Sequence, residues 1–208
     1  MVVAEKTIID VMYERRTVRQ YTDQKIAKET MDSIIEAAGS APSAWNLQHW
    51  KFIVLQDEDN KKSVFDVAYR QQQIQDAAAV VVVLGDTQAD LNADAIYSNA
   101  VEAGFMTDAI KNTLVGNIRR AYENAPNIGV HGAIQNSSFA AMQLMLAAKA
   151  QGIDSCPIGG FDADALRDVL AIPERYLPTL IITLGYGSQP AHGSSRFPRE
   201  QIVVNESF

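Results

Sequence analysis

The chain has 208 residues and a formal net charge of -7, with 47% hydrophobic and 21% charged residues. This length suits one well-buried domain over residues 1–208, the composition is that of a folded chain, and the acidic balance disfavours sequence-independent binding to nucleic acid or anionic lipid. The single cysteine, Cys156, excludes an internal disulfide and a Cys-rich metal site.

The first residues, M-V-V-A-E-K-T-I-I-D, lack the apolar core of a secretory leader, and the densest apolar run, Ala77 to Leu84, is too short to span a bilayer. A soluble cytoplasmic protein is expected. Ile8, Ile9, Val11 and Met12 recur at helical spacing, which predicts a short amphipathic helix over residues 4–14. It delivers E-R-R-T-V-R-Q-Y, where Arg15, Arg16 and Arg19 crowd into five residues. Such a cluster has two readings: a solvated basic turn at a helix C-terminus, where cations suit the macrodipole, or an anion site. In an extended stretch Thr17, Arg19 and Tyr21 share one face and Val18 and Gln20 the other.

Residues 27–38 follow as a helix ended by Gly39. S-A-P-S-A-W-N-L-Q-H-W fits neither helical nor strand periodicity and reads as a structured loop with an aromatic anchor. A strand over 51–55, a helix over 57–70 capped by Asp57, and an all-apolar strand over 79–84 come next. Two helices are predicted over 93–106 and 108–122, with Pro126 and Gly129 breaking the pattern. The longest helix, 132–152, is apolar on most sides, so it belongs at the centre of the domain or in a subunit contact. Asp162 caps a helix over 163–170 that Ile172-Pro173 stops; 179–184 is a β-branched strand, 185–195 a loop leading to Arg196, and 201–204 a terminal strand or arm. The irregular connections imply antiparallel or mixed pairing, an α+β or α/β sandwich.

No G-x-G-x-x-G follows a strand and no P-loop or G-x-S-x-G occurs. His49, His131 and His192 lack metal-ligand spacing, and Cys156 has no close basic partner in sequence. Gly159-Gly160 is either a tight turn or a place where backbone lies against a flat ligand and offers it amide N–H groups.

Four blocks, E-R-R-T-V-R-Q-Y, A-P-S-A-W-N-L-Q-H-W, G-I-D-S-C-P-I-G-G-F-D and I-P-E-R-Y-L-P-T-L-I-I-T-L-G-Y-G with a late Arg196, together resemble the nitroreductase family of FMN-dependent oxidoreductases. The resemblance implies an α+β homodimer with a mostly antiparallel central sheet, a long buried central helix and FMN at the subunit interface. Arg15, Arg16, Thr17 and Arg19 match the N-terminal FMN motif, with Arg15 and Arg196 on the phosphate and Arg19 near the pyrimidine end as an electrostatic aid. Pro42, Ser43, Ala44 and Asn46 match the loop supplied by the partner. Pro157, Ile158, Gly159 and Gly160 match the segment passing the ring near N5, and Arg70 and Gln73 fall where some members place flavin-contacting Asn and Lys. Three positions depart from the pattern: His49 replaces a common Pro, Gly159 a Glu, and Gln73 a Lys. The implied reaction is ping-pong hydride transfer from NADH or NADPH to a quinone or nitroaromatic, with solvent supplying protons. A non-catalytic flavin carrier, or a relative acting on flavin or halogenated aromatics, is the alternative.

Overall fold

The computed structural model describes residues 7–208. At its centre are β1 (Trp50–Leu55), β2 (Ala79–Asp86), β3 (Asp154–Ile158) and β4 (Tyr176–Gly185), in the order β1-β2-β4-β3 with every neighbouring pair antiparallel. The antiparallel ladders decide for α+β. β2 is buried along its whole length because it is central and covered on both faces. Its side chains alternate accordingly. Val81 and Val83 join Ile182 and Leu184 beneath α2 (Lys28–Gly39) and α7 (Ile128–Ala150). Val80 and Val82 join Ile181 beneath α3 (Glu58–Val67), α4 (Gln73–Asp76) and α8 (Ala163–Val169).

The remaining helices are α1 (Ile8–Glu14), α5 (Ala93–Glu102), α6 (Asp108–Asn124) and α9 (Arg199–Ile202), with 3-10 turns at Ala44–Asn46 and Ala89–Asn92. Residues 4–6 of the predicted first helix lie outside the described residues. Capping follows sequence chemistry: Thr7 and Asp10 form a reciprocal capping box, and the Asp57 and Asp162 carboxylates each accept two backbone N–H bonds at the start of α3 and α8.

α7 runs 23 residues and buries one broad face, including Ala133, Ala140, Leu144 and Ala148. Its other side leaves Ile134, Phe139 and Met142 40–46% exposed. The helix starts earlier than predicted. Gly129 is no breaker: it sits in the first turn, where a Cβ would come within 2.2 Å of the Thr87 carbonyl oxygen, so the missing side chain permits the approach.

Other expectations change too. The predicted helix over 57–70 stops at Val67, because Tyr69 and Arg70 turn left-handed (φ 53° and 54°). β3 was not anticipated as a strand, since Pro157 obscures its pattern. β4 extends back to Tyr176 across a bulge: Val83 pairs with Leu180 and Leu84 with Pro178, leaving Thr179 extra. Pro178 lacks a ladder donor, and the Thr179 hydroxyl bonds the Val83 carbonyl instead (3.0 Å). Of the two readings of residues 201–204, a terminal strand or an arm, the strand does not form: α9 ends at Ile202 and an exposed arm follows.

Candidate functional site

The arginine segment is laid along the outer edge of β3. Val18 N–H donates to the Ser155 carbonyl (3.1 Å), with a parallel bridge between Thr17 and Ser155, and Tyr21 bridges Gly187. Val18 and Tyr21 both turn inward. The Tyr21 hydroxyl meets the Val18 carbonyl and the Thr183 hydroxyl at 2.8 Å, and burial raises its pKa well above the phenol value. Strict strand alternation therefore fails, because only bridges hold this segment: Tyr21 parts company with Thr17 and Arg19, which remain together facing a cavity.

That cavity, about 300 Å³, lies between Thr17–Gln20 and residues 189–192. Beside it is a more enclosed pocket of about 180 Å³ lined by Arg15, Arg16, Thr17, Arg19 and Arg196, with His192 and Ser194 from the late loop. Both ends of the chain meet here. The Arg15 Nη1 group is buried and has no hydrogen-bond partner. A buried guanidinium N–H left unbonded is costly, so a pocket of several guanidiniums with such a donor is chemically matched to an anion such as a phosphate. The basic cluster lines a pocket in which one Arg15 donor is buried, while Arg16, Arg19 and Arg196 are exposed.

Next to it, β3 runs out into Gly159-Gly160. Burial pushes the Cys156 thiol pKa up, opposed by the nearby Arg19 charge and by hydrogen bonds with Gln73 and Thr183. Arg19, Gln73 and β3 therefore share one neighbourhood. Ile158 turns its side chain into the core, leaving only its backbone to a ligand, and Pro157 is half-buried. A Cβ on Gly159 would meet nothing within 4 Å, so its face is open to a flat group. The Gly160 carbonyl accepts a 2.8 Å bond from Gln71 Nε2, and Gln73, itself buried, donates to Gln71 Oε1 (3.2 Å). Arg70 is exposed on the left-handed turn. Sequence reasoning missed Gln71, His192 and Ser194; the run Gln71-Gln72-Gln73 in a turn between helices was the available signal.

Pro42, Ser43, Ala44 and Asn46 are not brought to this pocket. They lead into β1, and the strand order puts β1 and β3 on opposite edges of the sheet. Their loop is nonetheless firmly built. Ala44 N–H donates to Asn136 Oδ1 (2.9 Å), Gln48 N–H to Ser43 Oγ (3.0 Å), and Tyr97 OH to the Trp45 carbonyl (2.9 Å). Trp45, Asn46 and Gln48 hold left-handed backbone at φ 51–54°, which costs a non-glycine residue roughly 1 kcal/mol or more. A further cavity of about 480 Å³ opens beside Ala44, lined by Trp45, His49, Tyr122 and His131. His49 is fully buried with Nε2 3.0 Å from the Tyr122 hydroxyl and Nδ1 unpartnered, and burial lowers its pKa against the pull of Asp86. Burial raises the Tyr122 pKa to about 12. Behind the loop, Arg175 grips Asp86 through two bonds of 2.7 and 2.6 Å, and Asn92 links that pair to the Leu47 carbonyl.

Comparison with known proteins matches the Nitroreductase family model to residues 12–186. The Bacillus subtilis protein YodC, named among the NAD(P)H nitroreductases, is 42% identical over 195 residues, covering 93% of this chain and 96% of its own. The CLA biosynthesis enone reductase of Lactiplantibacillus plantarum is 32% identical over 91% of this chain and 90% of its own. Among solved structures, a nitroreductase-named protein from Exiguobacterium sibiricum, in complex with FMN, superposes with a TM-score of 0.90 at 33% identity, covering 98% of this chain and 99% of that one.

Proposed function

Because this chain belongs to the nitroreductase family, we propose that it is an FMN-dependent oxidoreductase that works as a homodimer and draws its electrons from NADH or NADPH. The observation that carries the reading is the buried, unpartnered Arg15 Nη1 in a pocket shared by Arg15, Arg16, Arg19 and Arg196. That donor set fits a phosphate monoester. Arg15 and Arg196 hold the phosphate, with Arg16 and the Thr17 hydroxyl beside them. Arg19 brings positive charge to the pyrimidine end near N1, where it favours the reduced, anionic flavin. Gln73 adds a neutral carboxamide at that end, so Arg19 carries the charge alone. The Pro157–Gly160 backbone offers amides to the ring, and the open face of Gly159 leaves space for it. Arg70, exposed on its turn, stands at the mouth.

The opposite-edge loop has its own place in this reading. Pro42, Ser43, Ala44 and Asn46 of the partner subunit close the site, and the apolar side of α7 packs in the contact. FMN, when bound, supplies the redox chemistry, taking hydride from NAD(P)H and passing it to a quinone or nitroaromatic in alternating half-reactions. A second acceptor class, the enone, is favoured by the relative named as an enone reductase.

The test is colour. Purified protein is yellow, bleaches with NADH or NADPH under anaerobic conditions, and recovers its colour with menadione; a panel of quinone, nitroaromatic and enone then ranks the acceptors. A yellow protein that neither nucleotide bleaches is a carrier and defeats the enzymatic reading. A colourless protein indifferent to added FMN defeats the cofactor assignment as well.

A further inference from the structure

The turn between α3 and α4 is joined to the end of β3 at three points. Asp162 N–H donates to the Val67 carbonyl (2.9 Å). Gln71 Nε2 donates to the Gly160 carbonyl at 2.8 Å and to the Ala68 carbonyl at 3.1 Å. The Tyr69 ring and the Gln71 carboxamide together stand 3.8–3.9 Å from where a Gly160 Cβ would be, so they cover that side of the glycine. Reaching this position takes two successive non-glycine residues in left-handed backbone, Tyr69 and Arg70. Such strain persists where surrounding structure over-determines it, and it clusters at ligand sites.

Gly159 and Gly160 have no side chains to fix their dihedrals, and glycine surrenders more conformational freedom than any other residue when it is ordered. On the open side nothing packs against Gly159. The Gly160 carbonyl is a polar handle on this backbone, and Gln71 holds it. Gln71 is itself oriented from behind, because Gln73 Nε2 donates to its Oε1. The result is a relay from Gln73 to Gln71 to Gly160.

We infer that Gln71 is a positioning residue: through the Gly160 carbonyl it fixes the Gly159-Gly160 backbone so that an amide N–H is presented to the flavin N5. This rests on the FMN reading above. An N–H donor facing N5 is satisfied by oxidised FMN, whose N5 accepts, and is met by an N–H once the flavin is reduced. Correct alignment therefore favours the oxidised form, and loosening it removes affinity for oxidised FMN more than for reduced.

The experiment uses the full-length protein. Gln71→Leu removes the donor and Gln71→His, measured at about pH 8.5 where a free imidazole is neutral, restores a neutral one; FMN dissociation constants and the midpoint potential of the bound flavin are measured for each. Gln71→Leu weakens oxidised FMN by about 3- to 10-fold relative to reduced FMN, in line with one lost hydrogen bond, which raises the two-electron potential by about 15 to 30 mV. Gln71→His returns the potential toward the parent value. Should Gln71→Leu fail to fold, Gln71→Met, which keeps the length of the stem and removes the donor without adding charge, moves the potential in the same direction. Equal weakening of both redox forms with an unchanged potential marks a purely structural residue and overturns the inference, as does a shifted potential that Gln71→His leaves uncorrected. Failure of the parent protein to bind FMN is a different result, and it defeats the cofactor assignment itself.

Discussion

Replacing Arg15 by methionine removes one guanidinium from the pocket and keeps most of the length of its stem. Arg15 Nη1 is buried and unpartnered, so no protein group competes for it and the ligand's phosphate gains the whole bond. A hydrogen bond to a charged group contributes about 1.5–3 kcal/mol, and 1.4 kcal/mol is tenfold in affinity, so FMN binding weakens by roughly 10- to 150-fold. The loss depends on the phosphate. Titrating the apoprotein with FMN and, separately, with riboflavin, and following flavin fluorescence, separates the pocket from the ring site: FMN affinity falls and riboflavin affinity holds. Because several like charges share about 180 Å³, a second substitution, Arg196→Met, is not additive with the first. Equal loss for both ligands, or unchanged FMN affinity, refutes the assignment of this pocket to the phosphate.

The other expectations concern the frame around that pocket. Gly129→Ala forces a Cβ to within 2.2 Å of the Thr87 carbonyl oxygen and destabilises the fold by about 1–3 kcal/mol or more. Gly116→Ala, inside α6 with nothing within 4 Å, gains about 0.5–1 kcal/mol; urea unfolding compares the two. The folded-state pKa of His49 lies below its free value of 6.5, chiefly through burial. As pH falls through 6.5 the unfolded chain takes up the proton first, so stability declines below that pH, and His49→Gln flattens the decline in melting curves. Cys156 is buried with its thiol pKa raised, so the native protein resists iodoacetamide at mildly alkaline pH and reacts once unfolded.

What the sequence made legible was whatever is encoded locally. Asp57 and Asp162 announced their helices, the valines of β2 announced a strand covered on both faces, and the arginine run announced a local basic cluster. What it hid depends on contacts between distant segments. Gly129 looks like a breaker until the Thr87 carbonyl is beside it. Pro157 looks like a loop residue until β4 pairs with it along an edge. Tyr21 fits a period of two until Thr183 draws its hydroxyl inward. The candidate site divides in the same way. The arginines were recognisable from their own crowding, whereas Gln71 acquires meaning only from a carbonyl 89 positions away.

The lodging of residues 17 and 18 against Ser155 has a consequence for solubility. A marginal strand with bare amides and carbonyls is a template on which other chains can build, and here the basic segment occupies part of that margin itself. Its positive charges add repulsion when the same edge of another copy approaches. Cutting away the first twenty residues therefore does more than remove basic groups: it uncovers a sticky border, and such a truncated protein would aggregate before its chemistry could be measured.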